Sequence, residues 1–268
     1  MGRQTVFVHI PRTGRIMGRL AFSHPGKLGD ALYTLPTIKE ICRLREAKCD
    51  FYTSPYCRPL LRLFEFQKEV NRVYFPDNYV IENMSIGVQP YYMPIDTSLY
   101  ETVWQLGFRS VPTCALPNFI AATAGIQNSA NIQVSYEYPD IPTLDEPYIV
   151  LAARGRTTFE PVFKEVVEKC PIKVVQVGGF GDEISTNGNS ISITGLDMLE
   201  TTTWIAKSVG FIGIMSAMLV IANGFDIPKV APHNGKSWDM RHVVTGPNNM
   251  YPVLPTAEEM LALVGLKP

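Results

Sequence analysis

Three short segments carry side chains whose types and spacing suit chemistry on a hydroxyl-bearing or anionic ligand. The first is Gly26-Lys27-Leu28-Gly29-Asp30. Glycines let a backbone come close to a ligand, and a helix starting there offers unpaired N–H groups and partial positive charge. A carboxylate held in that field can take a proton from an incoming hydroxyl, which makes Asp30 a candidate general base, with His24, Lys27 and Gly29 beside it. The same residues also read as a helix N-cap, Asp30, next to a solvated lysine.

The second segment is Ala153-Arg154-Gly155-Arg156-Thr157-Thr158. Guanidinium forks match phosphate oxygens in pairs, and threonine hydroxyls with helix N–H groups complete an anion cradle, so Arg154, Arg156 and Thr157 are phosphate candidates. A helix cap beside two surface arginines is the alternative. The third segment, Val177-Gly178-Gly179-Phe180-Gly181-Asp182-Glu183, resembles part of a dinucleotide glycine fingerprint. Gly178, Gly179 and Gly181 would admit a nucleotide, and Asp182 or Glu183 could accept hydrogen bonds from ribose hydroxyls. A plain turn with solvated acids fits the same residues.

Each segment falls where a strand should pass into a helix, the place where open parallel sheets bind ligands. Residues 5–10, 19–23, 49–53 and 72–75 read as strands. Apolar residues at Ala31, Leu32, Leu35, Ile38, Ile41 and Cys42 recur at helical spacing, with Pro36 marking either a helix start or a kink. Residues 59–69 and 99–107 read as short helices. After a segment with three prolines, 136–147, the alternation returns: strands at 148–152, 172–177, 209–212 and 228–231, and helices from 159, over 196–208, over 216–223 with Gly224 as C-cap, and over 256–264. The pattern is α/β, with two consecutive halves at 1–140 and 141–268.

The composition excludes several classes. The chain has 268 residues, 46% apolar and 18% charged, enough to bury a large core and unlike a disordered or fibrous chain. Five cysteines without CxxC spacing indicate neither a disulfide framework nor a structural metal, and His9, His24, His233 and His242 share no metal or triad spacing. The apolar run 6–10 is too short for a signal-peptide core, and the uncharged run 208–225, interrupted by glycines, falls short of a membrane span, so a cytoplasmic protein without a transmembrane segment is expected. Net charge is −1, but residues 1–75 hold 13 Lys and Arg against 6 Asp and Glu, while the rest hold 11 against 19. That asymmetry points to an anionic partner for the N-terminal half.

Taken in order, five segments resemble the ADP-heptose:lipopolysaccharide heptosyltransferase family: HPGKLGDALYTLPTIKEI, CDFYTSPYCRPLLRLFEFQKEVNRVYF, EPYIVLAARGR, VVQVGGFGDE and ITGLDMLETTTWIAKSVGFIG. The resemblance implies a GT-B fold, two Rossmann-like domains with parallel sheets facing across a cleft, with acceptor on the N-terminal side and nucleotide-sugar donor on the C-terminal side. It implies inverting transfer of a sugar from a nucleotide-diphosphate donor to an acceptor hydroxyl, without a metal or other cofactor. Asp30 matches the family's general base, and Arg154 and Arg156 fall in its diphosphate loop.

Where the family usually reads Phe-Ile-Gly-Asn-Asp-Ser-Gly-Pro-x-His, this chain has Met215 in place of the Asp and Val220 in place of the His, which leaves Ser216 as the side-chain donor there. Three readings follow: a glycosyltransferase acting on an anionic saccharide or other anionic acceptor, a noncatalytic GT-B-like binding module, and a glycosyltransferase acting on a modified nucleic-acid base.

Overall fold

The computed structural model describes residues 19–76, 93–107, 112, 114–127, 129, 132–153, 159–184, 188–235, 244 and 248–267. The strand expected at 5–10 lies outside them. Two parallel sheets organise the chain. The first has the order β3-β2-β1-β4, from β1 (Leu20–His24), β2 (Cys49–Thr53), β3 (Val70–Tyr74) and β4 (Thr102–Gln105). The second has the order β10-β9-β8-β5-β6-β7, from β5 (Tyr148–Ala152), β6 (Lys173–Gln176), β7 (Ser190–Ser192), β8 (Gly210–Gly213), β9 (Lys229–Val230) and β10 (Asn249–Met250).

The central strands explain the order. All five residues of β1 and all five of β5 are buried, the continuous pattern that a strand covered on both faces requires. In register, Phe22 sits beside Phe51 and Trp104, and its ring stacks on Trp104 at 4.8 Å. The buried carboxylate Asp50 is satisfied by Arg19 at 2.7 Å, Asn71 at 2.9 Å and the Tyr100 hydroxyl at 2.9 Å, as a charge removed from water must be.

Pro36 resolves into a break between two helices. Helix α1 (Leu28–Leu32) ends at Tyr33, and α2 (Leu35–Arg45) takes Pro36 in its first turn, where the missing N–H removes no helical bond. The N-cap of α1 is Lys27, so Asp30 is the third residue of the helix and not its cap. A 3-10 turn, Pro55–Leu60, leads into α3 (Leu61–Phe66). The helix expected at 99–107 is instead a short 3-10 turn, Thr97–Leu99, followed by β4: Thr102, Val103 and Trp104 are β-branched or aromatic, and pairing with β1 decides the outcome. Helix α4 (Leu116–Thr123) had no distinct sequence signal.

In the second half, α5 (Glu160–Lys169), α6 (Met198–Ala206), α7 (Ala217–Ala222) and α8 (Ala257–Leu263) alternate with the strands. The α7 C-cap is Asn223 in a right-handed conformation, and Gly224 is required for space: a Cβ there would lie 2.4 Å from Tyr136 Cδ2. Tyr136 belongs to the extended segment 132–147, which ties both halves together. Its hydroxyl donates to Val220 O at 3.3 Å, while Glu137 N–H donates to Gln67 Oε1 at 2.8 Å and the Thr203 hydroxyl to Pro139 O at 3.0 Å. One buried cluster draws on both halves, from Phe22 and Leu35 to Val150 and Val220.

Candidate functional site

Strand order fixes where ligands can sit. Connections leave β1 toward β2 on one side while β4 lies on the other, and β5 is flanked in the same way by β6 and β8. Crevices open at the carboxyl ends of such strands. Residues 25–30 follow β1, which ends at His24. Residues 153–158 follow β5, and Ile214, Met215 and Ser216 follow β8.

The loop after β1 is tightly drawn. His24 is fully buried; its carbonyl accepts from the Thr53 hydroxyl at 2.8 Å, and its Nδ1 accepts from Gly26 N–H at 3.0 Å. Gly26 O in turn accepts from the Cys57 thiol at 3.4 Å. A Cβ on Gly26 would lie 2.6 Å from His24 Cε1 and 2.9 Å from Asp30 Oδ2, so this position demands glycine for space. Asp30, half-buried, reaches back so that Oδ2 accepts from Lys27 N–H at 3.2 Å, the acidic half of a capping box at a helix end that favours negative charge.

The groups that sense the Asp30 charge are buried. Burial lowers the His24 imidazole to about 4 against the opposing pull of Asp30, so the ring is neutral at pH 7. Burial lifts the Cys57 thiol to about 11, with Asp30 adding to it. The Tyr33 phenol is also raised, mainly by burial and then by Tyr251, with a smaller contribution from Asp30. Asp30 thus has the buried, neutral side chains of His24, Cys57 and Tyr33 within reach of its charge.

Helix α1 brings this loop against the second half. A Cβ on Gly29 would lie 3.5 Å from Val220 Cγ2 and 4.0 Å from Ala217 Cα, so α1 and α7 meet across the join. Val220 is 5% exposed, and Met215 packs on the same core. Ser216 is the N-cap of α7, yet its side chain makes no capping bond, and its buried Oγ has no hydrogen-bond partner among the described residues.

The glycine segment after β6 is closed by its own acid. Gly178 and Gly181 have φ of +150° and +78°, conformations that L side chains rarely adopt. Asp182 Oδ2 accepts from Gly179 N–H at 2.8 Å, and Gly195 N–H donates to Gly178 O at 3.0 Å. Glu183 Oε2 accepts from the Thr194 hydroxyl at 2.9 Å. Arg154, Arg156 and Thr157 lie outside the described residues; the segment holding them runs between buried Ala153 and Phe159, the N-cap of α5.

Thus His24, Lys27, Gly29 and Asp30 lie together over the end of β1 and the start of α1, where Gly29 meets α7, while Gly178, Gly179, Gly181, Asp182 and Glu183 form a separate loop after β6 in the other sheet. Gly26, Cys57 and Tyr33 complete the Asp30 surroundings. Cys57 carries no signal in sequence, because its 31-residue separation from Gly26 closes only when β1 and β2 pair. A groove of about 540 Å³ outside α2, lined by Lys39, Arg43 and Lys68 among others, contains none of these residues. No group of three or more His, Cys, Asp and Glu able to hold a metal occurs among the described residues, and no helix among them is long and apolar enough to cross a membrane.

Comparison with solved structures gives the fold. The E. coli heptosyltransferase WaaC, solved with ADP-2-deoxy-2-fluoro heptose, superposes with a TM-score of 0.66 at 12% identity, covering 92% of this chain and 99% of that one. The fold is GT-B. A family 9 glycosyl transferase from Veillonella parvula DSM 2008 matches at a TM-score of 0.61 and 12% identity over 94% of this chain and 90% of its own. The iron-containing dodecameric glycosyltransferase TibC from enterotoxigenic E. coli H10407 matches at 0.59 and 15% identity over 86% of this chain, which spans 63% of TibC. No protein-family model matches the sequence, and no curated protein matches it. In GT-B terms, β1–β4 build the first Rossmann-like sheet and β5–β10 the second.

Proposed function

We propose that the chain is an inverting glycosyltransferase that moves a sugar from a nucleotide-diphosphate donor to a hydroxyl of an anionic acceptor, without a metal. The observation that carries the reading is Asp30 itself: a carboxylate beyond the carboxyl end of β1, fixed by Lys27 N–H beside buried, neutral His24, on a helix that touches the donor-side helix α7.

In this reading the acceptor O–H donates its proton to Asp30 as its oxygen attacks the anomeric carbon from the face opposite the diphosphate. The bond from that carbon to the phosphate oxygen breaks, its electron pair leaves with the nucleoside diphosphate, and configuration inverts. Charge building on the leaving group falls to Arg154 and Arg156, with the Ser216 hydroxyl and the N–H groups at the start of α7 as further donors. Gly178, Gly179 and Gly181 admit the nucleotide, and Asp182 and Glu183, which hold the Gly179 N–H and the Thr194 hydroxyl within the loop, have further carboxylate lone pairs for the ribose hydroxyls. The positive N-terminal half, including half-buried Lys27 and exposed Arg58, suits an anionic acceptor.

The test is titration with ADP, UDP, GDP, CDP and dTDP in chelator and then in magnesium, followed by transfer from the matching nucleotide sugar. Saturable binding of one diphosphate in chelator, lost in Arg154→Ala or Arg156→Ala, supports the donor site; binding only with magnesium contradicts metal independence. The apolar Gly29–Val220 contact favours a second reading, a noncatalytic module of the same fold. Transfer that is lost in Asp30→Asn removes it.

A further inference from the structure

Phe180 is the most exposed of the large apolar residues of the described chain, at 96%, whereas Phe22, Phe51, Phe64, Phe163 and Phe211 are all buried. A ring left in water forgoes the gain of burial unless something covers it in use.

Its placement says what would cover it. The ring stands four residues beyond Gln176, the last residue of β6, on the carboxyl edge of a sheet whose neighbouring strand β5 adjoins the crevice. In sheets of this order the nucleoside end of a bound nucleotide lies beyond the first strand–helix turn, where an acid meets the ribose. Asp182 and Glu183, the ribose candidates, are two and three residues away.

The loop backbone on either side of Phe180 is tied down. Gly179 N–H is tied to Asp182 at 2.8 Å and Gly195 N–H to Gly178 O at 3.0 Å. A Cβ on Gly195 would lie 3.4 Å from Phe180 Cδ2, so the glycine leaves that edge of the ring uncrowded, and the ring stands open to solvent. A backbone fixed in this way before binding leaves only the side chain's own rotation to be lost when a flat partner stacks on the ring.

We infer that Phe180 is the stacking platform for the base of the donor nucleotide, an inference that rests on the donor reading above. Stacking tolerates any base, so Phe180 sets nucleotide affinity, and base identity is read elsewhere.

The experiment compares wild-type protein, Phe180→Ala and Phe180→Trp by calorimetry with the five nucleoside diphosphates and with inorganic pyrophosphate, which has no base. Phe180→Ala should weaken every diphosphate that the wild type binds by roughly five- to a hundredfold and leave pyrophosphate unchanged. Phe180→Trp should keep the affinity and show indole fluorescence quenched on binding. Wild-type binding of a nucleoside diphosphate that is undiminished in Phe180→Ala, or weakened equally for pyrophosphate, overturns the inference while the donor site stands. Wild-type protein that binds none of them overturns the donor reading and this inference together.

Discussion

Gly29 and Val220 meet where the two halves join, with the vacant Cβ position of one 3.5 Å from Cγ2 of the other. Because Gly29 has no side chain, α1 can lie directly on α7, and the loop ending at Asp30 is carried to the helix that starts at Ser216. An apolar contact at this point makes the join part of the core.

Val220→Ala should therefore lower stability by about 1–3 kcal/mol, through lost burial and the cavity left between the helices. Chemical denaturation of the two proteins checks this, and an unchanged midpoint would mean that α7 closes onto α1 without cost.

Gly26→Ala forces the loop apart, since the added carbon would be 2.6 Å from His24 Cε1 and 2.9 Å from Asp30 Oδ2. A loss of about 1–3 kcal/mol is expected. Transfer activity should fall by more than the folded fraction does, because Asp30 is one of the groups displaced. The two are separated by assaying at a temperature where both proteins are fully folded.

Protonation of His24 opposes folding. Its folded value, about 4, lies below the usual 6.5, so the unfolded chain takes up the proton first as pH falls. The stability it contributes is complete above about pH 6.5 and is lost progressively toward pH 4, reaching about 3 kcal/mol at pH 4. In His24→Asn, which keeps an acceptor for Gly26 N–H and does not titrate, the decline in unfolding free energy between pH 7 and 4 should shrink by that order.

Gly224→Ala should cost about 2 kcal/mol or more, because the new methyl group would meet the Tyr136 ring at 2.4 Å. In a Tyr136→Ala background the cost should largely vanish, a coupling that a double-mutant cycle measures. Gly125→Ala, at φ +85° with nothing within 4 Å, should instead carry a conformational cost that is independent of Tyr136.

Much of this architecture was legible in residue patterns because the central strands are locally unambiguous. Residues 148–152 form an unbroken apolar run and become β5, and the Phe163, Val166 and Val167 stripe becomes the buried face of α5. Residues 99–107 read as a helix from local periodicity, whereas the strand character of β4 comes from pairing with β1, a contact across some 80 residues that local periodicity does not carry. Gly224 was assigned to conformation when the cause is the Tyr136 ring, which arrives from 88 positions earlier. The Asp30 loop stood out through Gly26, Gly29 and Asp30, whereas Cys57, Tyr33 and the α7 contact around it depend on tertiary approach.

The most direct measurement of the central claim is sugar transfer by Asp30→Asn, from the nucleotide sugar whose diphosphate the wild type binds. The carboxamide keeps the size and an oxygen acceptor for Lys27 N–H but cannot take the acceptor's proton. The rate should fall by about 10²- to 10⁴-fold while diphosphate affinity stays unchanged. Transfer at the wild-type rate would contradict the general-base role of Asp30 and the account built on it.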